Sequence, residues 1–222
     1  MLLLQFSTSH YCRKARLALG YKKIPYEVEN LTPGVHALKL KPMTGLTTVP
    51  VLLPQQDNQP QFIADSSRIF QYLENYQPDP SFYHSDPTQQ LEAELLEDWL
   101  DESIGTATRF VYYDYRSGAG KAIDPSFSSQ LVINIVRWQN SITPAAVALA
   151  KERLNRAILV LTPWKERPYL VGDQLTIADL AAAALLSPLA LIPDYQEAYP
   201  WLFERVKGIH QICGEKIPPG LS

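Results

Sequence analysis

Cysteine is nearly missing from this 222-residue chain: Cys12 and Cys213 stand far apart in sequence, so no disulfide framework supports the fold and a reducing cytoplasm suits it. Histidine is equally sparse. His10, His36, His84 and His210 are isolated, and neither cysteine has a second one near it in sequence, so no cluster has metal-ligand spacing. Neither the P-loop nor the Rossmann glycine pattern occurs. No uninterrupted apolar run approaches the length of a membrane span. Residues 1–6 are apolar, but they lack a basic leader and a cleavage site and stop at Ser7, Thr8 and Ser9, so they read as a buried strand. Large net charge is absent too. A balance of -3, with 46% hydrophobic and 19% charged residues, fits a soluble globular protein, gives no sign of disorder and does not favour nucleic acid as a partner.

What is present divides in two. The length accommodates two small domains that share an interface. Up to residue 77 there are eight Lys/Arg against five Asp/Glu; beyond it there are twelve against eighteen. Five of the first eight cations lie from Arg13 to Lys23, where they read either as a solvated helix face or as a place for an anionic small ligand. Strand signals over 2–6 and 26–29 flank an amphipathic helix over 11–21 ended by Gly20, which makes a βαβ unit. A short helix over 35–40, a hairpin pairing 50–53 with 61–63 across the loop 55–59, and a helix over 65–76 complete an α/β layer. Pro78, Pro80 and Pro87 mark a linker over 78–87, which gives domains at 1–77 and 88–222. The second domain reads as all helical: 88–116, 126–140, 144–161, 176–190 and 200–210.

Four short stretches carry chemistry. Ser9-His10-Tyr11-Cys12-Arg13-Lys14-Ala15-Arg16, at the start of the first helix, resembles the glutaredoxin active-site loop with serine in place of the nucleophilic cysteine. A helix start offers unpaired N–H groups and a favourable dipole to a thiolate. Serine cannot exchange disulfides, but its hydroxyl can donate to a thiolate that another molecule brings. One such charge-assisted bond contributes about 1.5–3 kcal/mol, enough to bring a thiol of pKa ~8.5 down by roughly one to two units. The ordinary role of Ser9 is an N-cap, and the two roles coexist. Tyr11 and Cys12 are alternative sulfur-handling groups. Their ordinary roles are aromatic packing and a small buried side chain.

Thr47-Thr48-Val49-Pro50-Val51 puts proline at the head of a buried strand. A cis Val49-Pro50 bond would turn the Val49 backbone toward a peptide-like ligand, while a trans edge proline is the alternative. Ala64-Asp65-Ser66-Ser67 opens the next helix with a carboxylate and a hydroxyl, suited to an ammonium and a carboxylate or simply to capping. Thr176-Ile177-Ala178-Asp179 forms a capping box, a structural element.

Taken together, in this order and at these spacings, the four stretches resemble the cytosolic glutathione S-transferase family across nearly the whole chain, nearest to the chi class of bacterial enzymes. The resemblance implies a thioredoxin-like α/β domain followed by an all-α domain, with glutathione as co-substrate and no tightly bound cofactor. Glutathione would lie along Thr48, Val49, Pro50, Asp65 and Ser66 with its sulfur at Ser9. The family's usual Asn-Pro-x-Gly is replaced here by Lys41-Pro42-Met43-Thr44-Gly45, which leaves Lys41 as a candidate for the glycyl carboxylate. The resemblance also implies a cytoplasmic homodimer that conjugates glutathione to small hydrophobic electrophiles. Phe110, Tyr112, Tyr113 and Tyr115 form the candidate pocket wall, with helical spacing pairing Tyr112 with Tyr115 or Tyr113 with Phe110. Two rival readings remain: a thiol-disulfide reductase working through Cys12, and a non-enzymatic dimerisation or binding module on the same fold.

Overall fold

A computed structural model describes residues 1–54 and 60–221; the expected loop 55–59 lies outside them. Strands β1 (Leu2–Gln5), β2 (Glu27–Asn30), β3 (Val51–Leu53) and β4 (Ile63–Ala64) form one sheet in the order β2-β1-β3-β4. β1 runs parallel to β2 across helix α1 (His10–Tyr21), and β3 is antiparallel to both β1 and β4. Side-chain alternation assigns the two faces. The paired Leu3 and Leu52 join the main core with α1 and α3 (Ser66–Tyr76), whereas Leu4 and Val51 turn to Leu40 of α2 (His36–Thr44).

Two expectations about helix ends fail for physical reasons. α2 continues through Pro42 to Thr44, because in so short a helix proline removes a single backbone bond, and Gly45 at φ 75° ends it instead. Gly20 does not end α1. The helix runs on to Tyr21, and a Cβ at Gly20 would sit 2.1 Å from the Cys213 carbonyl oxygen, so this glycine permits close packing of the chain's last helix.

The second half is helical. α4 (Pro87–Trp99), a π-helical turn (Leu100–Ile104) and α5 (Gly105–Ser117) run on continuously across the expected 88–116. α6 (Phe127–Gln139), α7 (Pro144–Val160), α8 (Ile177–Leu186), α9 (Pro193–Ala198) and α10 (Pro200–Ile212) follow. Of these α9 was not expected, and the expected 176–190 helix tightens into a 3₁₀ turn at Ser187–Leu191. Every residue of α8 is buried, as befits a helix that is apolar all round and packs on α1, α4 and α10. Asp179 caps it: one carboxylate oxygen accepts from the Thr176 N–H (2.9 Å) and hydroxyl (3.0 Å), the other from the Leu170 N–H (2.8 Å). Burial pushes the Asp179 carboxyl up to about 6, with those hydrogen bonds opposing. Among the described residues no helix is long and apolar enough to cross a membrane.

The basic stretch on α1 is neither a solvated face nor one anion site. Arg13, Lys14, Arg16 and Lys22 are all buried. Lys14 bonds Glu97 and Asp101 on the long helix and donates to Ser67 at 3.1 Å. Arg16 meets Glu215 at 2.7 Å and Lys22 meets Glu74 at 2.6 Å. Most of these cations therefore fasten α1 to its neighbours. Arg13 does not.

Candidate active site

Ser9 caps α1, its Oγ accepting from the Cys12 N–H at 3.3 Å, and it lines a cavity of about 200 Å³ between the sheet domain and α5. That oxygen accepts from the backbone, and its rotatable proton can be given either to the neighbouring Cys12 sulfur or to a ligand in the cavity. Cys12 is fully buried behind it, and burial pushes its thiol up, with a hydrogen bond from Ser9 opposing. Tyr11 lines the cavity but donates its hydroxyl to the Asp101 carbonyl at 2.9 Å. His10 makes the parallel contact, Nε2 to the Gly105 carbonyl at 3.1 Å. A carbonyl can only accept, so Nε2 carries the proton; burial first, then the Arg109 charge, pull the His10 pKa down to about 3. The Asp101 carbonyl lies in the π-helical turn and the Gly105 carbonyl at the first residue of α5, directly after it. A Cβ at Gly105 would lie 2.7 Å from the Tyr11 hydroxyl oxygen, so only glycine leaves room.

Across the cavity stand Thr47, Thr48 and Val49, and the Val49–Pro50 bond is cis. Pro50 is buried, and its carbonyl accepts from the Asp65 N–H at 3.4 Å, which ties this turn to the start of α3. Asp65 holds φ 85°, an uncommon backbone for any residue but glycine, while its carboxylate caps Ser67 N (3.0 Å) and Arg68 N (3.1 Å). Such local strain gathers at binding sites. Ser66 is buried, with its hydroxyl 3.5 Å from Asp101 Oδ1. Lys41 is exposed near the end of α2 and does not line the cavity.

The far wall comes from α5. Arg109, Tyr112 and Tyr113 line the cavity together, which corrects the expected pairings: the facing stripe starts at Arg109, so its i+3 and i+4 neighbours are the two adjacent tyrosines. Tyr115 lines a different cavity of about 490 Å³ on the opposite side of the helix, and Phe110 packs against the main core. Arg109 was not singled out from the sequence. Its guanidinium lies 5.1 Å from the Tyr11 ring centre and donates to Asn140 Oδ1 at 3.3 Å, partners distant in sequence. Its place one turn before Tyr112 is the signal that could have found it.

Residues 3–81 match the family model for the glutathione S-transferase N-terminal domain, and 126–209 match the C-terminal domain model. A glutathione S-transferase of Pseudomonas putida is 27% identical over 218 residues, which covers 95% of this chain and 85% of that protein. FtsZ-localized protein A of Caulobacter vibrioides is 23% identical over 190 residues, 85% of this chain and 75% of that one. Among solved structures, a glutathione S-transferase of Methylobacterium radiotolerans in complex with glutathione sulfonate gives a TM-score of 0.72 at 23% identity, covering 98% of this chain and 94% of that one. A small mixed sheet with helices, an all-helical second domain and both family models agree: this chain belongs to the glutathione S-transferase family.

Proposed function

We propose that the protein is a glutathione transferase in which Ser9 holds the glutathione thiolate for attack on an electrophile seated against Arg109, Tyr112 and Tyr113. The observation that carries this reading is the division of labour in one loop: Ser9 lines the cavity, Tyr11 is spent on a backbone carbonyl and Cys12 is sealed. Glutathione would run from Ser9 along Thr48 and Val49 toward Asp65 and Ser66, its ammonium drawn by the Asp65 carboxylate. No acid–base pair is required: thiolate stabilisation and proximity supply the acceleration. The boundary between the domains is placed at 78–87. A two-fold dimer through α3 and α4 belongs to the same reading, and the exposed Leu91 and Leu95 on α4 supply apolar area for it. A monomer on light scattering at micromolar concentration would remove the dimer.

The test is conjugation of glutathione to a neutral aryl halide by wild type, Ser9→Ala and Cys12→Ala. Ser9→Ala is expected to lower kcat/KM by about 10–100-fold, the worth of one charge-assisted bond, and Cys12→Ala by less than about twofold. Loss confined to Cys12→Ala would instead support the reductase reading. The similarity to FtsZ-localized protein A favours a second reading, a binding module without turnover. A wild type that neither binds glutathione nor turns over would select it.

A further inference from the structure

Three arginines lie on the Tyr112 side of the cleft, and among the described residues none has a carboxylate within ion-pair distance; Glu215 acts on Arg13, and Arg116 on Asp124, only at longer range. Arg13 donates one terminal nitrogen to the Ser187 hydroxyl, and its Nε has no hydrogen-bond partner although the residue is 9% exposed. Arg109 has only the Asn140 amide oxygen and the Tyr11 ring. Arg116, 8% exposed, donates to the Tyr112 hydroxyl at 2.9 Å and to Ser129 at 3.4 Å, and its Nε is also unpartnered. Arg109 is half-buried, whereas Lys14, Arg16 and Lys22, buried like Arg13 and Arg116, each meet a carboxylate. Leaving buried guanidinium groups without a directly paired carboxylate is costly unless something else supplies one.

The space beside them has the right form. A cavity of about 90 Å³ has Ser7, Thr8, Arg13, Tyr112 and Ser187 in its lining, with Pro188, Leu191 and Pro219 supplying the apolar part. At roughly 30 Å³ per water it has room for a carboxylate or sulfonate. Thr8, Tyr112 and Pro188 also line the cavity in front of Ser9, so the two spaces adjoin. The Tyr112 oxygen already accepts from Arg116, which leaves its own proton to donate. Arg13 stays cationic at neutral pH: burial first, then Arg16, lower its pKa only to about 10.

We infer that the electrophilic substrate carries an anionic group, a carboxylate or sulfonate, which the Arg13 guanidinium and the Tyr112 hydroxyl hold in this side cavity while Arg109 flanks it and the reactive carbon faces Ser9. The inference rests on the transferase reading and names its substrate class. In the reaction with an acidic aryl halide the glutathione sulfur forms a bond to the ring carbon, the carbon–halogen bond breaks, halide leaves with the electron pair, and the thiol proton passes to solvent.

The experiment compares two isosteric probes, 4-chloro-3-nitrobenzoate and 4-chloro-3-nitrobenzamide, in wild type, Arg109→Gln and Arg13→Gln. Wild type is expected to favour the acid by at least tenfold in kcat/KM, and each variant to shrink that ratio to near one, with KM for glutathione unmoved. Should the buried Arg13→Gln fail to fold, Arg109→Gln carries the comparison. A wild type without preference for the acid overturns the inference, as does a variant that raises KM for glutathione while losing both probes alike, since the arginines would then serve glutathione. Calorimetric titration of 3-nitrobenzoate against 3-nitrobenzamide, with no glutathione present, separates the two readings. Tighter binding of the acid by tenfold, abolished in Arg109→Gln, upholds the anion site even where nothing is conjugated, and equal binding sinks it.

Discussion

Arg13 and Lys14 are neighbours on α1, and both are buried, yet the fold treats them in opposite ways. Lys14 points into the seam between the domains and is bracketed by Glu97 and Asp101. Arg13 points to the cleft side and meets a hydroxyl. Burial therefore does not by itself decide whether a cation is neutralised. In the seam the counter-charge belongs to the protein and serves cohesion; beside the cleft it is left to be brought in, and the cost falls on stability.

The sharpest way to break this comparison is to delete one cation from each side. Lys14→Met strands two buried carboxylates and is expected to cost about 3–5 kcal/mol, read as a lowered urea midpoint at unchanged slope. Arg13→Met strands none and replaces a desolvated charge by a side chain of similar volume, so its effect should lie within about 1 kcal/mol of zero. Equal losses would show that the two cations are structurally equivalent.

A smaller effect sharpens the same contrast through His10, which sits in the field of Arg109 and Arg13. Its pKa of about 3, and that of His210 at about 4 through burial, lie below the ordinary 6.5, so both are neutral in the folded protein. An unfolded chain takes up their protons below about pH 6.5. Their contribution is complete above that pH and is lost as pH falls toward the folded values. Asp179, raised to about 6, acts in the opposite sense between 6 and its ordinary 3.8, because there the folded chain holds a proton that the unfolded one has lost. Between pH 6 and pH 4 these three groups leave a balance of about one proton, a stability loss of ~1.4 kcal/mol per pH unit on acidification, which the upward shift of the buried Asp101 carboxyl reduces. Urea titrations at pH 4.5 and 5.5 check it. His10→Gln, which keeps a donor for the Gly105 carbonyl, should bring the slope near zero, and an unchanged slope would refute the assignment. Arg109→Gln should move the His10 imidazole upward in an NMR titration.

Much of this was legible in the sequence because it is local. Ser9, Asp65 and Ser126 cap helices, and Pro144 opens one at its first position, as their residue types dictate. Strand alternation placed Leu3 and Leu4 on opposite faces of the sheet. What escaped is long-range. The fate of the basic stretch on α1 depends on Glu97, Asp101, Ser187 and Glu215, 83 to 199 positions away, and no window of sequence contains both partners. Gly20 looked like a helix stop because its spatial neighbour Cys213 lies at the far end of the chain. On α5 the aromatic spacing alone does not fix the face, because the stripe is set by Arg109, whose partners Tyr11 and Asn140 lie elsewhere in the chain.

The clasp between Ser9's loop and the π-helical turn has a consequence for how such a chain can diverge. Tyr11 and His10 grip main-chain oxygens at positions 101 and 105, and every amino acid supplies those oxygens. Substitution at the receiving end therefore leaves the grip intact, except at Gly105, where any added carbon collides with the tyrosine. The grip is thus almost silent to pairwise covariation: position 101 is held by its pairing with Lys14 and position 105 by lack of room, while the bond to the main chain makes no demand of its own on which side chain stands there.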